Sequence, residues 1–567
     1  MSKTIVLTIT VFFLFLSAAL LTGITATPEH RIFINGTVLT MDEHNSVAQA
    51  ISVRDGVIEA VGSDQTIRQM IEAGSQITDL QGKTLIPGFI DAHSHFPVSG
   101  LNAISADLSP PPVGKVETIA KLLQQIREKV EITPTGEWIL GFGYDDSSLM
   151  EQRHPTRLEL DQIAPDHPVY LWHSSGHMGV ANSVALKKIG FNEMTPDPPG
   201  GVIGRDAKTG LLNGLLQEQA ALSLNELISD FSAIDYYQVF QQATDEYVSK
   251  GITTAQSGGI GLSLARALYW ANKLDQLPFR LVIFPNDEGF GKQLLNGQLA
   301  PTDFNSERFY IGPVKIIADG SVQGRTAFLR EPFYQNPSDK PDYRGFPSIE
   351  QASLSSTVFA YHQAGFQLAI HGNGDAGIDN ILHAFSAAQK EFPVADPRMI
   401  LVHAQMARTD QLQDMQKLGI TPSFFPTHTY YWGDQHLARF MGPERGPMMS
   451  PTGSASVIGL KFSVHTDAPV TPIDPLQLLW STVNRRSATG QLIGAGQRIS
   501  VMQALRAMTI DAAWQVFQEK NRGSIEPGKY ADLVVLSGNP LLQPQDMRQL
   551  SVDETIVGGK TVYRSIN

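Results

Sequence analysis

Two histidines, separated by one residue, end the first strongly apolar run after residue 30. The apolar run 85–90 is followed by Asp91, Ala92, His93, Ser94 and His95. In a strand, alternate side chains point to the same side, so His93 and His95 face the same way. Taken alone they are two ordinary polar histidines or a chelating pair for one metal ion. Their place at the end of an apolar strand favours the metal site, because barrel enzymes put catalytic groups there.

Four further apolar runs end in residues of types that bind metals. They are 314–319, which contains Lys315 and Asp319; 367–371, which ends in His371; 399–403, which ends in His403; and 462–467, which contains His465 and ends in Asp467. Taken singly, each strand-end residue is also explained as a satisfied polar group or as a cap before a loop. Their joint occurrence in barrel order, on strands one, four, five, six and eight, predicts a shared metal site.

Apolar runs of β type alternate with helical segments through the middle of the chain, which predicts a parallel α/β fold. The runs are 86–91, 168–172, 252–256, 280–284, 312–317, 367–371, 399–402, 420–424 and 461–465. A closed (β/α)8 barrel of the TIM type needs eight strands. The run 168–172 lies in a stretch from about 100 to 235 that is rich in Pro, Gly and polar residues. We assign this stretch to an insertion after the first barrel strand.

The sequence near both ends of the chain predicts short strands and turns. A hairpin closed by Asp55-Gly56 is predicted near the beginning, and strands at 532–538 and 552–563 near the end. Neither end has enough strands for a stable sheet of its own. We therefore expect one small β-sandwich built from residues 30–83 and 516–567, with the metal-dependent barrel at 84–515 between them.

The first 26 residues have the pattern of a secretory signal peptide. Lys3 precedes the apolar run 5–21, and small residues follow before Thr27. The run is at the lower limit of what spans a bilayer, so an uncleaved anchor is the alternative. We expect an exported protein, periplasmic or secreted, with no stable membrane span after cleavage. The complete absence of Cys fits an oxidising compartment.

Composition excludes several classes of protein. The 43 Lys and Arg residues against 56 Asp and Glu residues give a net charge of −13, which argues against a nucleic-acid partner. The absence of Cys excludes disulfide scaffolds, Cys-based zinc sites and thiol catalysis. A small-molecule substrate is the expected partner. The oligomeric state is not fixed by the sequence, and a homodimer is one interpretation.

Taken together, the motifs resemble the amidohydrolase superfamily, in particular the subgroup called amidohydrolase family 3. Within it they are similar to N-substituted formamide deformylase-like enzymes and exoenzyme regulatory protein-like members. The matching segments are 87–95, 314–321, 369–375, 402–405, 464–472, 523–536 and 556–560. The resemblance extends over residues 30–567.

The resemblance implies one or two zinc ions, with other divalent metals such as iron or manganese as alternatives. The implied ligands are His93, His95, Lys315, His371, His403 and Asp467. Lys315 would be carbamylated by CO₂ and bridge two ions; the alternative is an unmodified lysine. The sequence departs from the common Ser-Asp at the last ligand, where His465-Thr466-Asp467 stands. This departure leaves the role of His465 open.

The implied reaction is hydrolysis of a non-peptide C–N bond, in an N-substituted amide or formamide, by a metal-activated hydroxide. Asp467 is the implied catalytic residue, which accepts the proton of water and passes it to the leaving nitrogen. Hydrolysis of an ester, lactone or carbamate on the same metal site is an alternative. A non-catalytic regulatory barrel is another, although the intact ligand set argues against it.

Five residues are candidates for substrate binding. By similarity these are His177, Glu218, Asp319 and Arg325, and His428 is added from the aromatic segment 424–433 after the seventh strand. Loops at that position line the active face of a barrel. The aromatic side chains there either wall an apolar pocket or pack against the insertion.

Overall fold

The computed structural model describes residues 30–222, 231–336 and 340–566. The predicted signal peptide at 1–26 lies outside these residues and stays a prediction. In the part of the chain that is described, no helix is long and apolar enough to cross a membrane.

The first strands form one complete sheet and part of a second. They are β1 (His30–Ile34), β2 (Thr37–Leu39), β3 (Val47–Ala48), β4 (Ala50–Arg54), β5 (Val57–Gly62), β6 (Gln76–Asp79) and β7 (Thr84–Pro87). The order β5-β4-β1-β6 makes the first sheet. The hairpin of β4 and β5 turns at Asp55-Gly56, as the sequence predicts, with both turn residues in the left-handed region that this turn requires.

A mixed sheet follows β8 (Phe89–Ser94). Its strands are β9 (Ala106–Asp107), β10 (Ile139–Tyr144), β11 (Val169–His173), β12 (Met178–Ala181), β13 (Gly201–Arg205) and β14 (Leu212–Glu218). They pair in the order β13-β14-β12-β11-β10-β9 and bury apolar clusters of their own. The run 168–172 therefore contributes β11 to this sheet. The Pro-rich composition of the segment did not predict that it contains so much regular structure.

Two parallel sheets carry the predicted ligands. Their remaining strands are β15 (Ile252–Ile260), β16 (Arg280–Pro285), β17 (Phe309–Ile311), β18 (Val314–Ile317), β19 (Leu368–Gly372), β20 (Met399–His403), β21 (Ile420–Phe424) and β22 (Ser463–Val464). The sheet orders are β17-β16-β15-β8 and β18-β19-β20-β21-β22. The sequence predicts one strand at 312–317, but Gly312 and Pro313 separate β17 from β18. Pro313 has no N–H to donate, so the ladder is interrupted there.

The C-terminal strands complete the second terminal sheet. These strands are β23 (Leu533–Leu536), β24 (Val552–Val557) and β25 (Lys560–Arg564). They pair in the order β25-β24-β23-β7-β2-β3, so the sheet contains strands from both ends of the chain. Buried side chains of both terminal sheets, such as Phe33, Ile51, Leu533 and Ile556, form one apolar cluster.

Helices pack against the parallel strands, the mixed sheet and the first terminal sheet. The longer ones are Ile119–Ile132, Arg157–Ile163, Ser183–Lys188, Ala233–Ser249, Leu262–Lys273, Gln351–Gln363, Asp375–Glu391, Thr409–Leu418, Thr452–Val457, Pro475–Asn484, Val501–Ala507 and Ile510–Gln515. Short helices are Asp64–Arg68, Gln219–Leu222, Lys292–Leu295, His428–Tyr431, Gly433–Gln435 and Gly442–Arg445. Apolar residues of the parallel strands, of the helices from Ala233–Ser249 onward and of the second terminal sheet form the largest buried cluster among the described residues. The helices of the mixed sheet pack into separate clusters.

A buried ion pair joins the parallel strands to the C-terminal sheet. Arg280 in β16 donates from Nε to Asp532 Oδ2 at 2.6 Å and from Nη2 to Asp532 Oδ1 at 3.1 Å. Both side chains are buried, and the guanidinium also lies over the ring of Tyr530, 4.0 Å from its centroid. Removal of the arginine would leave a buried carboxylate without its cation.

We expect Arg280→Met to lower the free energy of unfolding by about 3–5 kcal/mol, the usual loss when one partner of a buried pair is removed. Urea unfolding followed by circular dichroism measures it. The exposed Arg266→Met is the matched control and should change stability by no more than about 0.5 kcal/mol. Equal losses in both variants would contradict a specific role of the pair.

Candidate metal centre

The structure brings the six predicted ligands together at the carboxyl ends of the parallel strands. Their positions are His93 in β8, His95 just after it, Lys315 in β18, His371 in β19, His403 at the end of β20 and Asp467 after β22. His93, His371, His403, Lys315 and Asp467 are buried, while His95 is partly exposed. This convergence is what the strand-end residues predict.

His93, His95 and Asp467 form the most compact ligand group. The His95 Nε2 atom lies 3.3 Å from Asp467 Oδ1, and the His93 Nε2 atom lies 3.6 Å from it. Two ligand atoms on a tetrahedral zinc ion, each 2.0–2.1 Å from it, are about 3.3 Å apart. Asp467 Oδ1 is buried and has no hydrogen-bond partner among the described residues. Such an orphaned oxygen beside two imidazoles fits a divalent cation.

A backbone carbonyl selects the ring nitrogen of His95 that faces the site. The carbonyl oxygen of Gly258 can only accept, so His95 donates to it from Nδ1 at 3.2 Å, which leaves His95 Nε2 without a proton. His371 Nε2 lies 3.1 Å from both the carbonyl oxygen of Gly320 and the amide nitrogen of Asn373, so this nitrogen is engaged and Nδ1 is the one left for a metal. Metal-binding histidines commonly have their second nitrogen held in this way.

Lys315 lies inside the cluster of imidazoles. Its Nζ atom is 2.9 Å from His93 Nε2. Burial lowers the pKa of Lys315 to about 7, although the negative charge of Asp467 opposes the shift. Burial also holds the pKa values of His93, His371 and His403 well below their ordinary values. These imidazoles are therefore neutral, as metal ligands must be.

Strained backbone accompanies two of the ligands. His403 has φ +71°, and Asp467 has φ +55°, in the left-handed region that residues other than glycine rarely adopt. Asp91 holds the second of these segments, because its carboxylate accepts from the backbone N–H of Thr466 at 3.0 Å and from its hydroxyl at 2.5 Å. Strain of this kind persists only where surrounding contacts maintain it, and it concentrates at functional sites.

A family model described as the Amidohydrolase family matches residues 76–563. The chain belongs to this family. This confirms the resemblance recognised in the sequence, and it supports a divalent metal at the cluster. The chain is 30% identical to N-substituted formamide deformylase of Arthrobacter pascens, covering 94% of this chain and 98% of that protein.

Two further proteins resemble this amidohydrolase. LONG AFTER FAR-RED 3 of Arabidopsis thaliana is 30% identical, covering 93% of this chain and 91% of its own length. The crystal structure of a metal-dependent hydrolase of Pyrococcus horikoshii superposes with a TM-score of 0.72 at 24% identity, covering 91% of this chain and 99% of that one. This structural match supports the α/β fold.

A small cavity, partly open to solvent, lies beside the predicted ligands. It is lined by Ser175, His177, Ser321, Gln323, His371, Asn373, His403, Phe425, His428 and Asp467. Of the five predicted substrate-binding residues, His177 and His428 thus lie on its wall. Glu218 lies behind His177 and accepts from its Nδ1 at 2.8 Å.

The other two candidates are engaged elsewhere. The carboxylate of Asp319 accepts from the backbone N–H groups of Phe328, Asn373 and Gly374 at 2.8–3.0 Å, so it holds the loop around the ligand His371. Burial raises its pKa to about 7 against these hydrogen bonds. Arg325 donates to the carbonyl of Gln335 at 2.8 Å. A direct substrate contact by either residue stays a prediction.

His465 and Asp91 are site residues whose roles the sequence analysis did not assign. The His465 Nε2 atom is 3.1 Å from His403 Nδ1, and His403, His465 and Asp467 form a second potential metal group. Both residues stand two positions before a predicted ligand, so the alternation that pairs His93 with His95 also places them on the ligand side. That pattern could have drawn attention to them.

The close approach of Gly258 to His93 gives a test of the centre. A Cβ atom at Gly258 would lie 2.3 Å from His93 Cε1, and Gly261 has open space at the same position. We expect Gly258→Ala to displace the imidazole and to lower metal affinity at least tenfold, whereas Gly261→Ala keeps it. Isothermal titration of metal-free protein with zinc measures both. Unchanged affinity in Gly258→Ala would contradict the assignment of His93 as a ligand.

Proposed function

We propose that the protein is a zinc-dependent hydrolase of C–N bonds in small non-peptide amides or formamides. The observation that carries the proposal is the group of His93, His95 and Asp467, with its orphaned carboxylate oxygen beside Lys315. The similarity to a formamide deformylase over nearly the whole chain supports the bond class. Export also belongs to this proposal, and it rests on Lys3 and the apolar run 5–21.

We further propose that the two parallel sheets enclose a (β/α)8 barrel beside a β-sandwich of the terminal sheets. Backbone hydrogen bonds between the segments that follow the first and last parallel strands support closure. Asp467 donates its N–H to His93 O at 3.0 Å, and His95 donates its N–H to Ala468 O at 2.8 Å. An isolated bridge between Asn286 and Lys315 links the two sheets on the other side.

The six ligands named above would hold one or two ions. A bound divalent metal supplies Lewis-acid polarisation of the substrate carbonyl and lowers the pKa of water toward neutrality. The neutral amine of Lys315 would attack CO₂, forming an N–C bond and releasing one proton to solvent. The resulting carbamate offers two anionic oxygens in place of a cation, which explains a lysine among metal ligands.

The chain's own residues would then move the protons. Asp467 Oδ1 would face the cation, so the other carboxylate oxygen, Oδ2, would take a proton from water and deliver it to the leaving nitrogen. His177, held by Glu218, and His428 lie on the cavity wall with Asp467, where each can orient the substrate carbonyl.

A larger cavity, partly open to solvent, would take the substituent on the substrate nitrogen. Its walls include Phe142, Trp432, Val470 and Ile473. Two further lining residues, Ser174 and Ala468, are direct chain neighbours of Ser175 and Asp467 in the small cavity. The two spaces therefore adjoin. Mainly apolar walls suit an apolar substituent.

Metal analysis tests the centre directly. We expect about two equivalents of zinc in the purified mature protein, and fewer in Lys315→Ala, because the bridging carbamate is lost. The exposed Lys273→Ala is the control and should retain the full amount. One equivalent in all three proteins would exclude a bridge, and no zinc after metal-replete purification would overturn the catalytic proposal.

A cavity-filling variant tests the substituent site. We expect Val470→Trp to raise KM at least tenfold for N-formyl amines with large apolar substituents and to leave N-methylformamide hydrolysis unchanged. The exposed Val457→Trp controls for the added indole. An equal rise in KM for large and small substrates would show that the substituent binds elsewhere. Preferred cleavage of esters would overturn the proposed C–N bond class.

A further inference from the structure

A chain of buried side chains leads from the predicted ligand His403 away from the cavity. It runs through His465, Ser423 and Ser463 to Gln515. His403 is 4% exposed, and the other four side chains are 0% exposed. Bulk water therefore has little access to this chain, and its hydrogen atoms must be distributed among its own members.

The far end of the chain fixes the orientation of the Gln515 amide. Its Nε2 atom lies 2.9 Å from the carbonyl oxygen of Pro422, which can only accept. The same nitrogen donates to Thr421 Oγ1 at 2.8 Å, and the Thr421 hydroxyl in turn donates to the carbonyl of Lys461 at 2.9 Å. The amide oxygen Oε1 must therefore face Ser463.

This orientation then sets the direction of every other hydrogen bond. Each serine hydroxyl has one hydrogen to donate. The Ser463 hydroxyl is placed to donate either to Ser423 Oγ at 2.9 Å or to Gln515 Oε1 at 2.5 Å, and it has one hydrogen for the two. Because Gln515 Oε1 can only accept, the shorter contact takes this hydrogen, and the Ser423 hydroxyl then donates to Ser463. Ser423 must then accept from His465 Nδ1–H at 2.8 Å. The result is a His465 ring whose Nε2 atom has no proton.

The direction of these hydrogen bonds also determines which nitrogen of the predicted ligand His403 has the proton. The bare Nε2 of His465 lies 3.1 Å from His403 Nδ1, so the hydrogen between them belongs to His403. The other nitrogen of His403, Nε2, is then free of a proton. His403 also lines the small cavity.

We propose that His465 is a positioning residue that, through this chain, fixes His403 in the tautomer whose Nε2 can bind metal. The inference rests on the proposed metal-dependent function. Outer-shell partners of this kind typically contribute 10–100-fold to metal affinity.

The test uses a variant that touches no predicted ligand. In Ser463→Ala the Ser423 hydroxyl loses its acceptor and turns to His465 Nδ1. His465 then holds its proton on Nε2 and donates it to His403 Nδ1, which leaves a proton on His403 Nε2. We expect zinc affinity, measured by competition with a chelator, to fall about 10–100-fold. Ser463→Thr keeps the hydroxyl and should restore most of the affinity.

Nitrogen-15 NMR of histidine-labelled, metal-free protein reads the tautomers directly. In the wild type we expect His403 and His465 each to have its ring proton on Nδ1. Each signal is assigned by its disappearance when that histidine is replaced with glutamine. This measurement needs no variant that could misfold at Ser463. A wild-type proton on Nε2 of either ring would overturn the proposal.

The remaining outcomes separate this proposal from the function on which it rests. Wild-type affinity in Ser463→Ala would overturn the positioning role. If His465→Leu loses a whole zinc equivalent while Ser463→Ala keeps its zinc affinity, His465 is a direct metal ligand. This result would also overturn the positioning role. Absence of zinc from the wild type would overturn the proposed function, while the tautomers of the metal-free protein would still decide the hydrogen-bond chain.

Discussion

The hydrogen bonds of Asp91 with Thr466 are the contact on which the metal centre depends. Asp91 lies in the first parallel strand, and Thr466 follows the last one, so the contact joins residues 375 positions apart. Burial raises the pKa of the Asp91 carboxyl to about 7, even though both hydrogen bonds from Thr466 oppose the shift. The contact holds the next residue, Asp467, in its left-handed conformation against His93 and His95.

The centre concentrates groups that a stable core would normally avoid. Lys315, three histidines and Asp467 are buried together, and burial of such polar groups costs free energy unless partners compensate. Within the protein, the compensation is incomplete, because Asp467 Oδ1 and His93 Nδ1 have no hydrogen-bond partner among the described residues. A bound cation would provide the missing partner for the carboxylate. Because these buried polar atoms have no hydrogen-bond partner, the site contributes little to the stability of the fold, and it is well suited to bind a metal ion.

The sequence predicted the parts of this arrangement that local pattern controls. Apolar runs that end in His, Lys or Asp locate the ligands, because the side-chain alternation of a strand is readable over a few residues. Pro313 could also have indicated the break between β17 and β18, but the apolar run 312–317 was interpreted as one strand. The chain from His403 to Gln515 was not readable, because Ser423, Ser463 and Gln515 lie on three separate elements and meet only in the folded protein.

The insertion is attached to the loops after the parallel strands by specific polar contacts as well as by apolar packing. The indole Nε1–H of Trp432, after β21, donates to Asp145 Oδ2 at 2.7 Å, and Asp145 also accepts from Ser147 and Ser148. Trp432 and Asp145 both line the larger cavity, so this hydrogen bond joins two of its walls. The predicted ligands lie in the parallel strands or directly after them, whereas most walls of the larger cavity lie in loops that follow two separate sheets. Loop changes in the insertion can therefore alter the accepted substituent without moving the metal centre.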